Sequence, residues 1–120
     1  MPAKILVNCT YGKENPERAS LSFVVGNVAV TADQEGGVLL TIEGVRLATR
    51  GYADGVQQEG FQPLKDVIEA FVANGGKIWV CGSCSKPRGI TDADLIAGAK
   101  IVTAASVVEY MASGASTLNF

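Results

Sequence analysis

Apolar and polar stretches alternate along the chain in a way that predicts strands and helices in turn. Lys4–Cys9 and Lys77–Cys81 are nearly continuous apolar runs, which are typical of parallel strands covered on both faces. Val38–Ile42 predicts a strand between them, Lys100–Val102 a brief fourth strand, and Ser116–Phe120 an edge strand. We therefore expect a five-stranded, mostly parallel sheet.

The longest predicted helix follows the first strand. Asn15 can cap a helix, and Pro16 suits the first helical position because its missing N–H costs nothing there. This helix is predicted to run to about Asp33 and to be ended by Gly36-Gly37. Its middle is apolar nearly all round, which predicts burial on more than one side.

Shorter helices are predicted in the rest of the chain. Pro63 opens one with apolar residues at three- and four-residue spacing, and Thr91 with Asp94 forms a capping-box pattern that opens another. Ala104–Ala112 is a third. The alternation of strands and helices predicts a single three-layer α/β domain of flavodoxin-like type over residues 1–120.

Two cysteines end predicted strands. Cys9 ends the first strand and Cys81 ends the third. In the flavodoxin-like strand order, the first and third strands flank the point where the order reverses, and ligands bind there beyond the carboxyl ends of the strands. We therefore expect Cys9 and Cys81 to reach one crevice, with Tyr11 and the Gly82–Arg88 loop as its walls.

Composition narrows the classes of partner and compartment. Apolar residues make up 48% of the chain and charged residues 18%, which predicts that another subunit covers part of the apolar surface. The net charge of −2 argues against nucleic acid or an anionic membrane as a partner. No signal peptide and no apolar run long enough for a membrane span are evident, so we expect a cytoplasmic protein with reduced thiols.

Several kinds of site are disfavoured by the residues present. The chain has no histidine, which excludes Cys-His and Ser-His-Asp nucleophile pairs. A zinc site built from Cys9, Cys81 and Cys84 would lack an evident fourth ligand. No glycine-rich phosphate loop follows the first strand, so we expect neither a metal nor a flavin or other cofactor.

The segment 77–89, KIWVCGSCSKPRG, carries the main candidate chemistry. Cys81 and Cys84 are followed by Lys86 and Arg88, and no acidic residue occurs between Lys77 and Asp92. Positive charge near a thiol favours the nucleophilic thiolate, so a reactive cysteine is predicted here. The alternative is a cysteine that is simply buried at a strand end.

The Cys81-x-x-Cys84 spacing also admits a redox dithiol. Thioredoxin-like pairs of this spacing open a helix directly, whereas Pro87-Arg88-Gly89 predicts that the chain stays in a turn. We therefore expect that a cycling disulfide is the less favoured function of the pair.

Three regions resemble the DsrE/DsrF-like family of small sulfur-relay proteins. They are NCTYGKENPERASLSFVVGNVAV at 8–30, EGVRLATRG at 43–51, and WVCGSCSKPRGIT at 79–91 with the chain that follows to Phe120. The resemblance implies a flavodoxin-like α/β fold and homo-oligomers, often trimers or hexamers. It also implies that Cys81 is the sulfur-carrying cysteine and that Arg88-Gly89 is the family's Arg-Gly pair, while Cys84 is an addition.

The resulting hypothesis is a sulfur carrier or sulfurtransferase-like protein. Cys81 would accept sulfane sulfur as a persulfide, with help from Arg88 and the backbone N–H groups of Gly82, Ser83 and Cys84. Sulfur would come from and go to proteins or small thiols, and Cys84 would resolve the persulfide. A Cys81/Cys84 thiol-disulfide oxidoreductase and a non-catalytic oligomeric binding subunit remain the alternatives.

Overall fold

The computed structural model describes residues 2–120 and contains one five-stranded sheet. All neighbouring strands are parallel, in the order β4-β3-β2-β1-β5. The strands are β1 (Lys4–Cys9), β2 (Glu35–Leu40), β3 (Lys77–Cys81), β4 (Ala99–Val102) and β5 (Ser116–Asn119). The α-helices are α1 (Pro16–Thr31), α2 (Leu64–Ala73), α3 (Gly82–Ser85) and α4 (Ala104–Ala112), and shorter 3₁₀-helices cover Ile42–Ala48, Lys86–Arg88 and Asp92–Asp94.

The flavodoxin-like α/β class is confirmed, but the expected neighbourhood of β1 and β3 is wrong. β2 lies between them and pairs with both. Since neighbouring strands are about 4.8 Å apart, the ends of β1 and β3 are separated by about 10 Å. Cys9 and Cys81 therefore end at the same edge of the sheet without flanking one crevice.

β2 begins earlier than predicted because its two glycines serve packing. Gly36 and Gly37 lie inside the strand and do not end the preceding helix. A Cβ on Gly37 would lie 2.1 Å from the ring of Trp79, and one on Gly36 would lie 2.9 Å from Val30 of α1. These positions need glycine to make space for neighbouring side chains, whereas the turn after α1 is made by Asp33 with a φ of 64°.

The main core lies between one face of the sheet and helices α1 and α2. Phe23 of α1 and Phe71 of α2 meet edge to face with their ring centroids 5.9 Å apart. The strand residues packed with them are Val7, Val38, Leu40, Ile78 and Val80. On α1, Ser20 and Ser22 are buried while Val28 is 61% exposed, so the side of the helix that carries Val28 faces solvent.

The opposite face of the sheet is covered more thinly. Tyr110 of α4 packs edge to face on Trp79 with a centroid distance of 4.8 Å. No residue of α4 is buried, and β5 is exposed along its length. Within residues 2–120, none of the helices combines the length and apolar character that crossing a membrane would take.

Candidate functional site

The cysteine segment is helical, which corrects the turn expected from sequence. Cys81 is the last residue of β3, and α3 begins at Gly82. The 3₁₀-helix Lys86–Arg88 continues it, with Pro87 near the start, where a missing N–H is tolerated. Gly89 then ends the segment with a φ of 70°. The pair therefore does open a helix, and the argument against a redox dithiol no longer holds.

Both thiols of this segment are free and partly exposed. The pKa of Cys81 is raised, first by burial and then by its interaction with the thiol of Cys84. The nearby backbone N–H groups of Cys84 and Ser83 act on the pKa of Cys81 in the opposite direction. The sequence predicted a thiolate favoured by nearby cations, but the net direction is the reverse.

Arg88 is engaged away from the thiols. Its Nε donates to Oε1 of Glu43 at 2.9 Å, and its Nη1 donates to the carbonyl oxygen of Cys84 at 3.0 Å. The other carboxylate oxygen of Glu43 accepts a hydrogen bond from Nε of Arg46 at 2.8 Å. The Arg88 guanidinium is the main cause that lowers the pKa of Glu43.

Glu43 is a site residue that sequence reasoning missed. It lies 45 positions before Arg88, in the 3₁₀-helix that follows β2. No acidic residue is near Lys86 and Arg88 along the chain, but the fold brings Glu43 into contact with Arg88. The EGVR segment at 43–46 places Glu43 near Arg46, but nothing in the sequence indicates its contact with Arg88.

Cys9 and Tyr11 lie apart from the two exposed thiols. Cys9 is fully buried, and its thiol donates to the carbonyl oxygen of Tyr11 at 3.3 Å. Burial raises the pKa of Cys9 in spite of a hydrogen bond with Ser22. The Tyr11 ring lies under the guanidinium of Arg18, with 5.4 Å from Cζ to the ring centroid. Cys9 thus belongs to the core and Tyr11 to the loop after β1.

The turn after β2 separates these residues from the cysteine helix. The backbone N–H of Thr41 donates to the carbonyl oxygen of Cys9 at 3.0 Å, and a Cβ on Gly44 would lie 2.4 Å from the same oxygen. Between them, Ile42 has a φ of 55° and is 54% exposed. A β-branched residue rarely adopts this conformation, so the turn holds Ile42 outward under strain.

A cavity of about 370 Å³ lies elsewhere, along α2. Its apolar lining comes from Leu47, Ala53, Ile68, Val72 and Ile96, and no cysteine contributes to it. The described residues 2–120 also contain no group of three or more Cys, Asp or Glu side chains close enough to hold a metal ion. Cys81 and Cys84 therefore form a two-thiol site at the surface, outside this cavity.

Comparison with known proteins places the chain in a family. The sequence model of the DsrE/DsrF-like family matches residues 3–120. The chain belongs to the DsrE/DsrF-like family. This membership supports a sulfur-relay type of role in general terms.

Relatives and solved structures agree with this placement. The uncharacterized protein MJ0989 of Methanocaldococcus jannaschii is 31% identical over 97% of this chain and 96% of its own length. MJ0760 of the same organism is 30% identical over 88% of this chain, which spans only 38% of that longer protein. The YchN protein of E. coli superposes with a TM-score of 0.81 at 21% identity, covering 98% of this chain and 99% of that one.

A second solved structure, MTH1491 of Methanobacterium thermoautotrophicum, superposes with a TM-score of 0.69 at 15% identity. The match covers 98% of this chain and 99% of that one. At such identities the two structures show that the DsrE/DsrF-like fold is shared. They assign no residue of this chain a role.

Proposed function

We propose that this protein accepts sulfane sulfur on Cys81 as a persulfide and passes it to an acceptor. The observation that carries the proposal is a partly exposed thiol at the end of β3, directly before the helix α3. Backbone N–H groups and positive charge near a sulfur stabilise a thiolate or a terminal persulfide anion. Family membership supports the sulfur-relay class to which this reaction belongs.

The loading step conserves atoms and electrons. Cys81 loses its proton to solvent, and its thiolate attacks the outer sulfur of a donor persulfide. A new sulfur–sulfur bond forms at Cys81 while the donor's own sulfur–sulfur bond breaks, and the electron pair leaves with the donor thiolate. An acceptor thiolate removes the sulfur by the same exchange, so donors and acceptors are proteins or small thiols.

Cys84 provides a second outcome for the bound sulfur. Its thiolate can attack the inner sulfur of the Cys81 persulfide, which forms a Cys81–Cys84 disulfide and releases hydrosulfide. The sulfane sulfur is reduced and the two cysteines are oxidised. A cellular dithiol, which a reducing cytoplasm would supply, then reduces the disulfide and restores both thiols.

Thiol-disulfide exchange is a second candidate function, and one observation favours it. The Cys81-x-x-Cys84 pair opens a helix, as redox dithiols do. Cys84→Ser separates the two functions. A persulfide carrier keeps its loading in this variant, whereas a dithiol oxidoreductase loses turnover.

Intact mass measurement after incubation with a sulfane-sulfur donor tests the carrier function. The wild-type chain should gain the mass of a sulfur atom or, where Cys84 resolves the persulfide, lose two hydrogens, and a reductant should restore its original mass. Cys84→Ser should gain and keep the sulfur atom. Cys81→Ser should gain none, while Cys9→Ala serves as the control because Cys9 is buried. Equal loading of Cys81→Ser would refute the role proposed for this cysteine.

We propose further that the chain works as a homo-oligomer, with a trimer or hexamer as the expected form. Support comes from apolar side chains left exposed on α4 and β5, namely Val108, Met111 and Leu118. Burying such a surface against another copy would remove apolar area from water.

A further inference from the structure

Ile42 combines backbone strain with an exposed apolar side chain. Its φ of 55° lies in the left-handed region, which is unfavourable for a β-branched residue. Its side chain is 54% exposed, so burial within its own chain offsets little of this strain. The isoleucine therefore lowers the stability of the fold and gains little packing in return.

The turn after β2 requires a left-handed residue at this position but does not require an isoleucine. The backbone on both sides of Ile42 is held, because the N–H of Thr41 donates to the carbonyl oxygen of Cys9 and the N–H of Gly44 donates to that of Thr41, each at 3.0 Å. Glycine or asparagine adopts a positive φ at lower cost. The side chain of Ile42 therefore points to a contact outside the single chain.

Ile42 lies beside Cys81 at the carboxyl edge of the sheet. Leu40 pairs with Val80 in the parallel register, so Thr41 lies next to Cys81 and Ile42 is the first residue beyond that edge. Thr41 is extended, and the 3₁₀-helix that Ile42 opens lies against β3 and α3. A protein that brings a sulfur atom to Cys81 must cover this edge, whereas a small thiol needs to reach only the Cys81 sulfur.

The charged side chains next to Ile42 and the cysteine helix favour an acidic partner. Glu43 forms ion pairs with both Arg46 and Arg88, and Lys86 is a further exposed cation. Three cations and one carboxylate leave these four side chains with a net charge of +2, whereas the whole chain carries −2. A second copy of this acidic chain is therefore a poorer match for this edge than a partner with an acidic surface.

We propose that Ile42 is a contact residue for a protein that exchanges sulfur with Cys81, and that this protein presents its cysteine beside an apolar side chain on an acidic surface. The inference rests on the proposed function of Cys81 and narrows its partner to a protein persulfide rather than a small one. In the transfer, the Cys81 thiolate forms a bond to the outer sulfur of the partner's persulfide, and the partner's cysteine leaves as a thiolate.

Peptide persulfides serve as the probes, and the rate of sulfur loading is followed by intact mass in a Cys84→Ser chain. Two short acidic peptides carry a persulfidated cysteine flanked either by leucines or by alanines, and glutathione persulfide is the small donor. With Ile42 present, the leucine peptide should load Cys81 about tenfold faster than the alanine peptide, as expected for partial burial of aliphatic side chains. In Ile42→Asn the two peptides should load at equal rates, while loading by glutathione persulfide stays unchanged.

Two further variants and a stability measurement control the comparison. Ile42→Leu keeps an apolar side chain and should retain the preference for the leucine peptide. Val28→Asn makes the matched change at an exposed valine of α1 and should retain it as well. Because asparagine relieves the strain, Ile42→Asn should raise the Tm by about 3 °C or more, whereas Val28→Asn should not.

Equal loading by the two peptides when Ile42 is present, or an unchanged preference in Ile42→Asn, would overturn the inference. A lower Tm in Ile42→Asn would also overturn it, since the chain itself would then use the isoleucine. A smaller mass of this variant in light scattering would do the same, because a second copy would then cover Ile42. Faster loading by a peptide with lysines in place of its acidic residues would refute the acidic partner.

The small donor separates this inference from the carrier function. If glutathione persulfide loads Cys81 but the leucine peptide has no advantage, the inference alone is refuted. If glutathione persulfide and both peptides fail to load Cys81, the carrier function is refuted and the inference falls with it.

Discussion

Groups around Cys81 shift the pKa of its thiol in opposite directions. Burial and the neighbouring Cys84 thiol favour the protonated form, while two backbone N–H groups favour the thiolate. Because the net effect raises the pKa, the thiol is mostly neutral at neutral pH, and sulfur acceptance should speed up as the pH rises toward that pKa. A partner that supplies hydrogen bonds to the sulfur on docking would have the same effect at constant pH.

Replacing Cys84 by alanine should make Cys81 more reactive at neutral pH. The substitution removes the thiol that raises the pKa of Cys81 but keeps the backbone N–H that lowers it. The pH profile of Cys81 alkylation, followed by intact mass, should therefore move to lower pH. A profile moved to higher pH would mean that Cys84 stabilises the thiolate and would contradict this account of the pair.

Sequence placed two cysteines at the end of a strand but did not give the state of their thiols. The strand end at Cys81 is recognisable in the sequence, so local pattern was sufficient to find this residue and the Gly82, Ser83 and Cys84 that follow it. Burial of Cys81 depends on residues distant in the chain, and Glu43 reaches Arg88 only through the fold. Charges counted along the chain therefore gave the wrong direction for the pKa.

The sequence predicted the starts of helices where a local capping interaction determines them. Asn15 accepts a hydrogen bond from the N–H of Arg18, and Thr91 and Asp94 form the predicted capping box. The predicted start of β2 was wrong because a glycine pair is typical of the end of a helix. In this structure Gly36 and Gly37 lie inside the strand and provide room for other side chains. In the sequence, a glycine pair looks the same whether it ends a helix or makes room for a neighbouring side chain. Only the position of Trp79 in the fold distinguishes these two roles.

Gly37→Ala should destabilise the fold through contact with the ring of Trp79. The new methyl group would lie 2.1 Å from a ring carbon, and overpacking of this kind costs about 1–3 kcal/mol. Chemical denaturation should show the lower free energy of unfolding. In Gly37→Ala/Trp79→Leu the smaller side chain relieves the clash, so the double variant should lose less than the sum of the single losses. Additive losses would contradict the packing role given to Gly37.

The two faces of the sheet are covered unequally. One face carries the core with α1 and α2, whereas α4 packs on the other and leaves apolar side chains in water. Sequence predicted the number and direction of the strands but placed β1 beside β3. The apolar sequence of a strand predicts which of its faces are buried. It does not determine which other strand pairs with it.

Val108→Asp should weaken self-association if the α4 and β5 surface is the contact between copies. A charge placed there would be buried without a partner on assembly, which is strongly unfavourable. Light scattering should give a smaller mass for this variant than for the wild type. Val28→Asp is the matched control, since that valine is similarly exposed on α1, on the opposite layer. A monomeric wild type, or dissociation caused by Val28→Asp alone, would contradict the proposed contact.

The position of the transferred sulfur tests the central claim most directly. Cys84→Ser is loaded with a sulfane-sulfur donor, cleaved after lysine and arginine without reduction, and its peptides are weighed. The account predicts that the added sulfur lies in peptide 78–88, where Cys81 is then the only cysteine. Sulfur found in peptide 5–13, which contains Cys9, or in neither peptide, would contradict it.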